Sequence, residues 1–287
     1  MLVARRSTEK HVVGKIDSLA LAWLQQAVAI PFILVTLFFA KFYWPSELPA
    51  DFWTTMALYV VLISIDIYCY FKALSLADVS YVAPLMSLLA IGYIAGAYFV
   101  LGQVPSAFGV AGALFIVAGA AITYNAKRKD TVNKRTNKIA LLLILLLVVI
   151  RSFNANIEVS MLQASNPTTF NFYSSALAIP LLLLASLLIM ATNKTERYKG
   201  YWKKLKTDVT KHRWLLLFIG ITYTVNMLAT YEAKLIGPNA GYVGAIKSAS
   251  VLPIILVGVF IFKEKINKAQ WLGLGVVAVG LVLLAFN

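Results

Sequence analysis

Nine long apolar stretches constrain this chain more than anything else in it. They lie near residues 18–40, 53–73, 80–101, 106–125, 139–160, 168–190, 214–234, 241–262 and 269–286, with only short or basic connectors between them. Each is close to the roughly 20 residues that a helix needs to cross the hydrocarbon of a bilayer. Backbone groups in lipid must be satisfied within the segment, which a run of this length achieves as a helix. Hydrophobic residues make up 60% of the 287 positions and charged residues 13%. The expected class is therefore an all-α polytopic membrane protein with nine transmembrane helices. The first stretch is too long for the apolar part of a cleavable signal and has no small-residue cleavage site, so it is expected to double as the targeting signal.

The formal charge of +14 is segregated by these stretches. Alternate connectors place Arg5, Arg6, Lys10, Lys15, Lys72, the run "KRKDTVNKRTNK" (127–138), the connector from Lys194 to Arg213, and Lys263, Lys265 and Lys268 on one side. The other side holds Lys41 and Lys234. By the positive-inside rule the first side is cytoplasmic, which points to a plasma (inner) membrane. The basic runs then read as solvated topology signals, and no nucleic-acid partner is expected. Cys69 is the single cysteine, and His11 and His212 lie in polar connectors. No metal, cofactor or enzymatic cluster is expected from such a set.

The chain also repeats itself. "AVAIPFILV" from Ala27 matches "ALAIPLLLL" from Ala176, with Pro31 over Pro180. "YFKALSLADVSYVAPLMSLLAIGYI" from Tyr70 matches "YEAKLIGPNAGYVGAIKSASVLPII" from Tyr231, and Gly112 and Gly119 fall over Gly273 and Gly280. The charge map runs the 18–40 and 168–190 stretches in opposite directions, so the copies are inverted. Inverted repeats mark secondary transporters, in which two halves rock about a site near the bilayer midplane. The stretch at 139–160 has no partner, so a five-plus-five parent is expected, with residues 1–17 as the stub after an absent first helix. Either the chain starts too far downstream or it is a natural nine-span version. The expected division is 1–125 for the first repeat, 126–138 for a basic cytoplasmic linker and 139–287 for the second repeat.

Ionised residues deep in spans are costly and face a cavity or a partner. Lys247 lies within the eighth stretch beside Tyr242, Ser248 and Ser250, and Gly244 and Pro253 interrupt that stretch as Pro84 and Gly92 interrupt its counterpart. Such paired interruptions point to a transporter's binding site. Arg151, Asn154 and Glu158 share one helical face, as do Tyr223, Asn226 and Thr230. Asp66, with Tyr59 and Tyr70 on its face, is either a counter-ion for Arg151 or Lys247 or a coupling site for a proton. The expected substrate-binding set is Lys247, Arg151, Tyr242, Ser248, Asn154, Asn226 and Tyr223, with Asp66 and Glu158 as coupling or counter-ion residues. Trp44, Trp53, Trp214 and Trp271 read as interfacial anchors.

The closing segment "AIKSASVLPIILVGVFIFKEKINKAQWLGLGVVAVGLVLLAF" resembles that of EamA-type carriers of the drug/metabolite transporter superfamily. Glu264 stands in the polar turn and Gln270 to Gly273 at the start of the last helix; Gln103 takes the place of Glu264 in the first half. The resemblance implies a ten-helix carrier of small metabolites. The function expected is secondary transport, by alternating access, of a small anionic or zwitterionic metabolite. Its partners would be that substrate, the lipid bilayer and, as an option, a second copy in a homodimer. Two rival readings are a flippase for a lipid-linked sugar and a non-transporting membrane subunit or fragment.

Overall fold

The computed structural model describes residues 2–13, 15–77, 82, 85–102, 104–130, 134–192, 200–237, 240–247 and 266–285. Among these the order is α1 (Leu2–Val13), α2 (Ser18–Leu37), a short 3₁₀ turn (Pro45–Glu47), α3 (Ala50–Leu76), α4 (Leu89–Leu101), α5 (Ala107–Asp130) and α6 (Lys134–Ala164). There follow α7 (Pro167–Thr192), α8 (Tyr201–Lys211), α9 (Arg213–Ile236), α10 (Ala240–Lys247) and α11 (Lys268–Ala285). Five helices, at Ser18–Leu37, Ala50–Leu76, Lys138–Ala164, Pro167–Ala191 and Arg213–Ile236, are long and apolar enough to cross a membrane. Leu89–Phe99, Ala107–Thr123 and Lys268–Leu284 are shorter apolar helices. Of the expected eighth stretch, the part from Ser248 onward lies outside the described residues, as do Pro84, Gln103, Ser250, Pro253 and Glu264.

Two compact units emerge, one from Met1–Phe71 with Met161–Tyr231, the other from Lys72–Ser160 with Glu232–Asn287. Each draws helices from both arms of the sequence repeat. In the first unit α2 packs along α7. Asp17 caps α2, its carboxylate accepting from the N–H groups of Leu19 and Ala20 at 3.0 and 3.3 Å, which satisfies donors that a helix start leaves open. Gly220 on α9 is a close approach: a Cβ there would stand 2.8 Å from the carbonyl of Val28 on α2. The connector leaving α2 is tied to the start of α7. Asn166 Nδ2 donates to the Lys41 carbonyl, the Tyr43 N–H donates to Thr169 Oγ1 at 3.2 Å, and Tyr173 Oη donates to the Tyr43 carbonyl at 3.1 Å. Phe42 fills the gap, its ring centre 5.3 to 5.6 Å from those of Trp44, Phe172 and Tyr173.

In the second unit α5 and α11 lie in close antiparallel contact. Small residues allow it. A Cβ on Gly112 would stand 2.7 Å from the Gly280 carbonyl, and one on Gly119 2.5 Å from the Gly273 carbonyl. Close backbone approach across small residues is how membrane helices associate where lipid offers no hydrophobic driving force. The start of α11 explains the Gln-x-x-Gly pattern. Asn267 Oδ1 accepts from the Gln270 N–H at 2.9 Å while Gln270 Oε1 accepts from the Asn267 N–H at 3.0 Å, a reciprocal capping box. Gly273, three residues on, is the point of contact with α5.

Three features depart from the sequence reading. The charge map expects Arg5 in solvent, yet Arg5 and Glu9 on α1 are both buried, because each supplies the other's counter-charge. Lys234, expected at an interface with water, is buried for the same reason, beside Glu158. The basic connector 194–213 contains the helix α8, whose buried Leu205 lies one turn after half-buried Tyr201, with half-buried Asp208 and Val209 a turn further on.

Candidate functional site

The second unit collects most of the candidate polar residues. On α6, Arg151 and Glu158 are half-buried and Asn154 is 1% exposed, with no hydrogen-bond partner for either amide atom among the described residues. The glutamate is engaged: Lys234 of α9 forms an ion pair with Glu158 Oε2 and lies 3.4 Å from the Ala155 carbonyl. The side chains of this pair are 4% and 14% exposed. Charges this far from water persist because each neutralises the other and the remaining donors find acceptors.

On the same unit, α10 presses on α4, where a Cβ on Gly244 would collide with the ring of Tyr93. Tyr242 is anchored by its hydroxyl, which accepts from the Ser106 N–H at 3.0 Å, while Ser106 Oγ caps the start of α5 by accepting from the Gly109 N–H at 3.1 Å. Lys247 is the last residue of α10 and half-buried. Ser248 lies outside the described residues. Gly92 and Gly96 of α4 face Ser152 and Asn156 of α6, and any side chain there would meet them.

The first unit holds the remaining candidates, Asp66, Tyr223 and Asn226. Asp66 on α3 is fully buried, as are Tyr59 and Tyr70. Tyr59, Phe170 and Tyr231 form a ring series with centres 5.0 and 5.2 Å apart. Tyr223 packs with Ala29, Ile33, Phe172 and Met227. Asn226 Oδ1 is buried without a partner among the described residues.

Three residues outside the expected set join this unit's polar interior. Arg5 Nε lies 3.0 Å from Glu9 Oε1, Tyr70 Oη donates to Glu9 Oε2 at 2.8 Å, and the Arg5 guanidinium sits 5.6 Å from the centre of the Tyr223 ring. The sequence carries a signal for the pair, since Arg5 and Glu9 are spaced i, i+4 on a helix. Lys234 likewise continues the Tyr223, Asn226, Thr230 stripe by one turn.

Arginine, lysine, carboxylate and amide groups held away from water are able to hold a charged solute by exchanging one buried partner for another, with aromatic rings offering apolar surface.

Comparison with known proteins narrows what such chemistry serves. A protein of Sinorhizobium sp, described as an uncharacterized transporter in the cobO 3' region, is 31% identical over 87 residues, which is 30% of this chain and 60% of that protein. The matched region thus spans about 60% of that relative's length. A protein known from a crystal structure superposes with a TM-score of 0.63 over 98% of this chain and 92% of its own, at 15% identity, so the two share a fold. The model of the EamA-like transporter family matches residues 8–125 and 138–286. With nearly the whole length matched and a set of apolar helices of spanning length, the chain belongs to the EamA-like transporter family.

Proposed function

We propose that the chain is a secondary transporter of small anionic or zwitterionic metabolites, working by alternating access between two inverted repeats. The observation that carries the architecture is the α5 and α11 contact. If Gly112 is equivalent to Gly273 and Gly119 to Gly280, a two-fold relation requires the contact of Gly112 with Gly280 to recur as one of Gly273 with Gly119. Both contacts are present, and a Cβ on any of the four glycines would stand 2.5 to 2.7 Å from the facing carbonyl. Such reciprocity is what self-complementary packing produces. Packing of α2 on α7 likewise joins segments that the repeat aligns. Nine spans, with ten in the parent, follow as part of the same reading.

Ionised side chains support the substrate class. Arg151, Lys234, Lys247 and Glu158 lie on apolar helices of the second unit, where a charge is kept at a cost and therefore for use. In this reading Lys247 and Arg151 attract the anionic group. Tyr242, Ser248 and Asn154 contact the rest of the solute. Glu158 competes for the cations so that cargo is released. The basic connectors face the cytoplasm across a plasma or inner membrane, a placement supported by the one-sided distribution of lysine and arginine along the chain.

The test is uptake by the reconstituted chain. Proteoliposomes are loaded with each of a panel of carboxylated, phosphorylated and zwitterionic metabolites, and Lys247→Ala is compared with the parent. Loss of exchange in the variant, with the protein still folded, supports the reading. Exchange of every anionic solute at parental rates removes Lys247 from the site, and movement of polyprenyl-phosphate lipids alone favours a flippase.

A further inference from the structure

We propose that the basic corner of the first unit, where α1 leads into α2 and α8 leads into α9, is a seat for the headgroup of an anionic phospholipid, held by His11, Lys15, Lys211 and His212. The inference goes beyond transport, because it gives a partner to charges that the sequence reads as solvated topology signals. It rests on α2 and α9 crossing the membrane and is independent of what the chain carries.

Depth comes first. Lys15 lies just before the first residue of α2, and Lys211 and His212 lie just before the first residue of α9. Both helices are long and apolar enough to span. Gly220 of α9 lies against Val28 of α2. These contact points are seven and ten residues into their helices, so at 1.5 Å per residue the two helices start within about 5 Å of the same level. Side chains just outside two neighbouring span ends stand at the depth of the lipid headgroups.

Charge comes next. Folding gathers both histidines of the chain into one cationic cluster. Lys15 Nζ lies 2.6 Å from His11 Nε2, and both side chains are exposed, as is Lys211. His212 is half-buried. Burial, then the charges of Lys15, Lys211 and His11, holds its ring below the ordinary histidine value, with Asp208 opposing. An open hollow continues along α8, lined by Lys206, Thr207, Thr210 and Lys211. Thr207 and Thr210 donate their hydroxyl protons to the Lys203 and Lys206 carbonyls at 3.0 and 2.8 Å, which leaves the ammonium groups to serve an anion. Cations brought this close repel one another, and a phosphate among them replaces those repulsions with charge-assisted hydrogen bonds.

The groups flanking these charges favour lipid over free phosphate. The helix α8 carries four lysines against one aspartate. Buried Leu205 holds it to the protein, while Trp202 is 46% exposed and Trp214, just past the cluster, is 72% exposed. Indole rings prefer the headgroup zone of a bilayer, and a basic amphipathic helix beside a span is suited to anionic lipid. A soluble phosphate has no use for either ring. The same cations repel the choline or ethanolamine end of a zwitterionic lipid, so the seat selects headgroups of net negative charge.

The experiment uses the full chain in neutral detergent with its two histidines isotope-labelled. The chain is titrated with short-chain phosphatidylglycerol, short-chain phosphatidylcholine or inorganic phosphate. Phosphatidylglycerol is expected to shift both ring signals saturably and to move the His212 titration upward from its value in detergent alone; the other two probes at equal concentration leave both rings in place. Lys15→Gln and Lys211→Gln should each weaken the binding about fivefold, the worth of one cation at an anionic surface. Lys203→Gln, about 12 Å along α8 from Lys211 and beyond a Debye length, should leave it near parental. All three lysines are exposed, so the variants keep the fold, and the titration of the parent needs no variant. Three results overturn the seat. Phosphatidylcholine or phosphate moves the rings as far as phosphatidylglycerol does, the rings fail to respond, or Lys203→Gln weakens binding as much as Lys211→Gln, which marks a diffuse attraction. Loss or survival of transport alters none of these readouts, so the seat and the carrier reading fail separately.

Discussion

Replacing Glu158 by glutamine removes a charge while keeping the volume, so no cavity complicates the outcome. Lys234 is then left with its ammonium at 4% exposure and the Ala155 carbonyl, 3.4 Å away, as an acceptor. Breaking one side of a buried pair costs about 3–5 kcal/mol, and because Glu158 keeps 14% exposure the lower end applies, about 3 kcal/mol. At about 2–4 °C per kcal/mol, Tm should fall by roughly 6–12 °C. Cys69, the chain's single cysteine, is free and buried, so a thiol-reactive dye reports unfolding without engineering. The double variant Lys234→Met with Glu158→Leu removes both charges and should recover most of the loss, since apolar replacement of an entire buried pair is often neutral or stabilising. A Glu158→Gln protein melting within about 1 °C of the parent, or a double variant less stable than the single one, would refute the claim that the two charges depend on each other away from water.

Three further outcomes follow from the geometry. Gly119→Ala and Gly273→Ala each place a methyl within 2.7 Å of a facing carbonyl and should each destabilise by about 1–3 kcal/mol, read by the same dye; parental melting of both denies the close approach. Gln270→Ala breaks the capping box at α11 and should cost about 0.5–2 kcal/mol, whereas Gln270→Glu, which can still accept from Asn267, should retain most of the stability. Burial, then the positive charges of Lys15, Lys211 and His11, hold His212 below the ordinary histidine value of 6.5, with Asp208 opposing. As pH falls below that value the unfolded chain takes up this proton first, so stability is intact above it and declines as pH drops towards the folded value. A ring-proton titration that places His212 above 6.5 contradicts this.

The helical class and the long spans were legible because they depend on runs of residue type. The deep position of Asp66 follows from its place midway along such a run, and the Gln-x-x-Gly start of the last helix resolves into a cap and a contact. Arg5 and Lys234 escaped the same logic for one physical reason. Topology rules assign a charge to water by its position along the chain, and they take no account of a partner brought by folding. Arg5 gains Glu9 on its own helix, and Lys234 gains Glu158, whose position 76 residues away in sequence has no local signature. The helix α8 was hidden by its lysines, although Tyr201, Leu205 and Val209 recur every four residues. Asn171 and Gln26 are polar letters in apolar runs, and only packing tells a buried amide from a surface one.

The tie between the α2 connector and the start of α7 has a consequence for how this chain tolerates change. On the connector side, Asn166, Thr169 and Tyr173 meet main-chain atoms of Lys41 and Tyr43, groups that every amino acid except proline supplies alike. Substitutions at 41 and 43 other than proline at 43 therefore leave those three bonds in place, whereas a change that removes the polar group at 166, 169 or 173 deletes one. Robustness in this region is one-sided, and a library randomised across both segments should return varied letters in the first and few in the second.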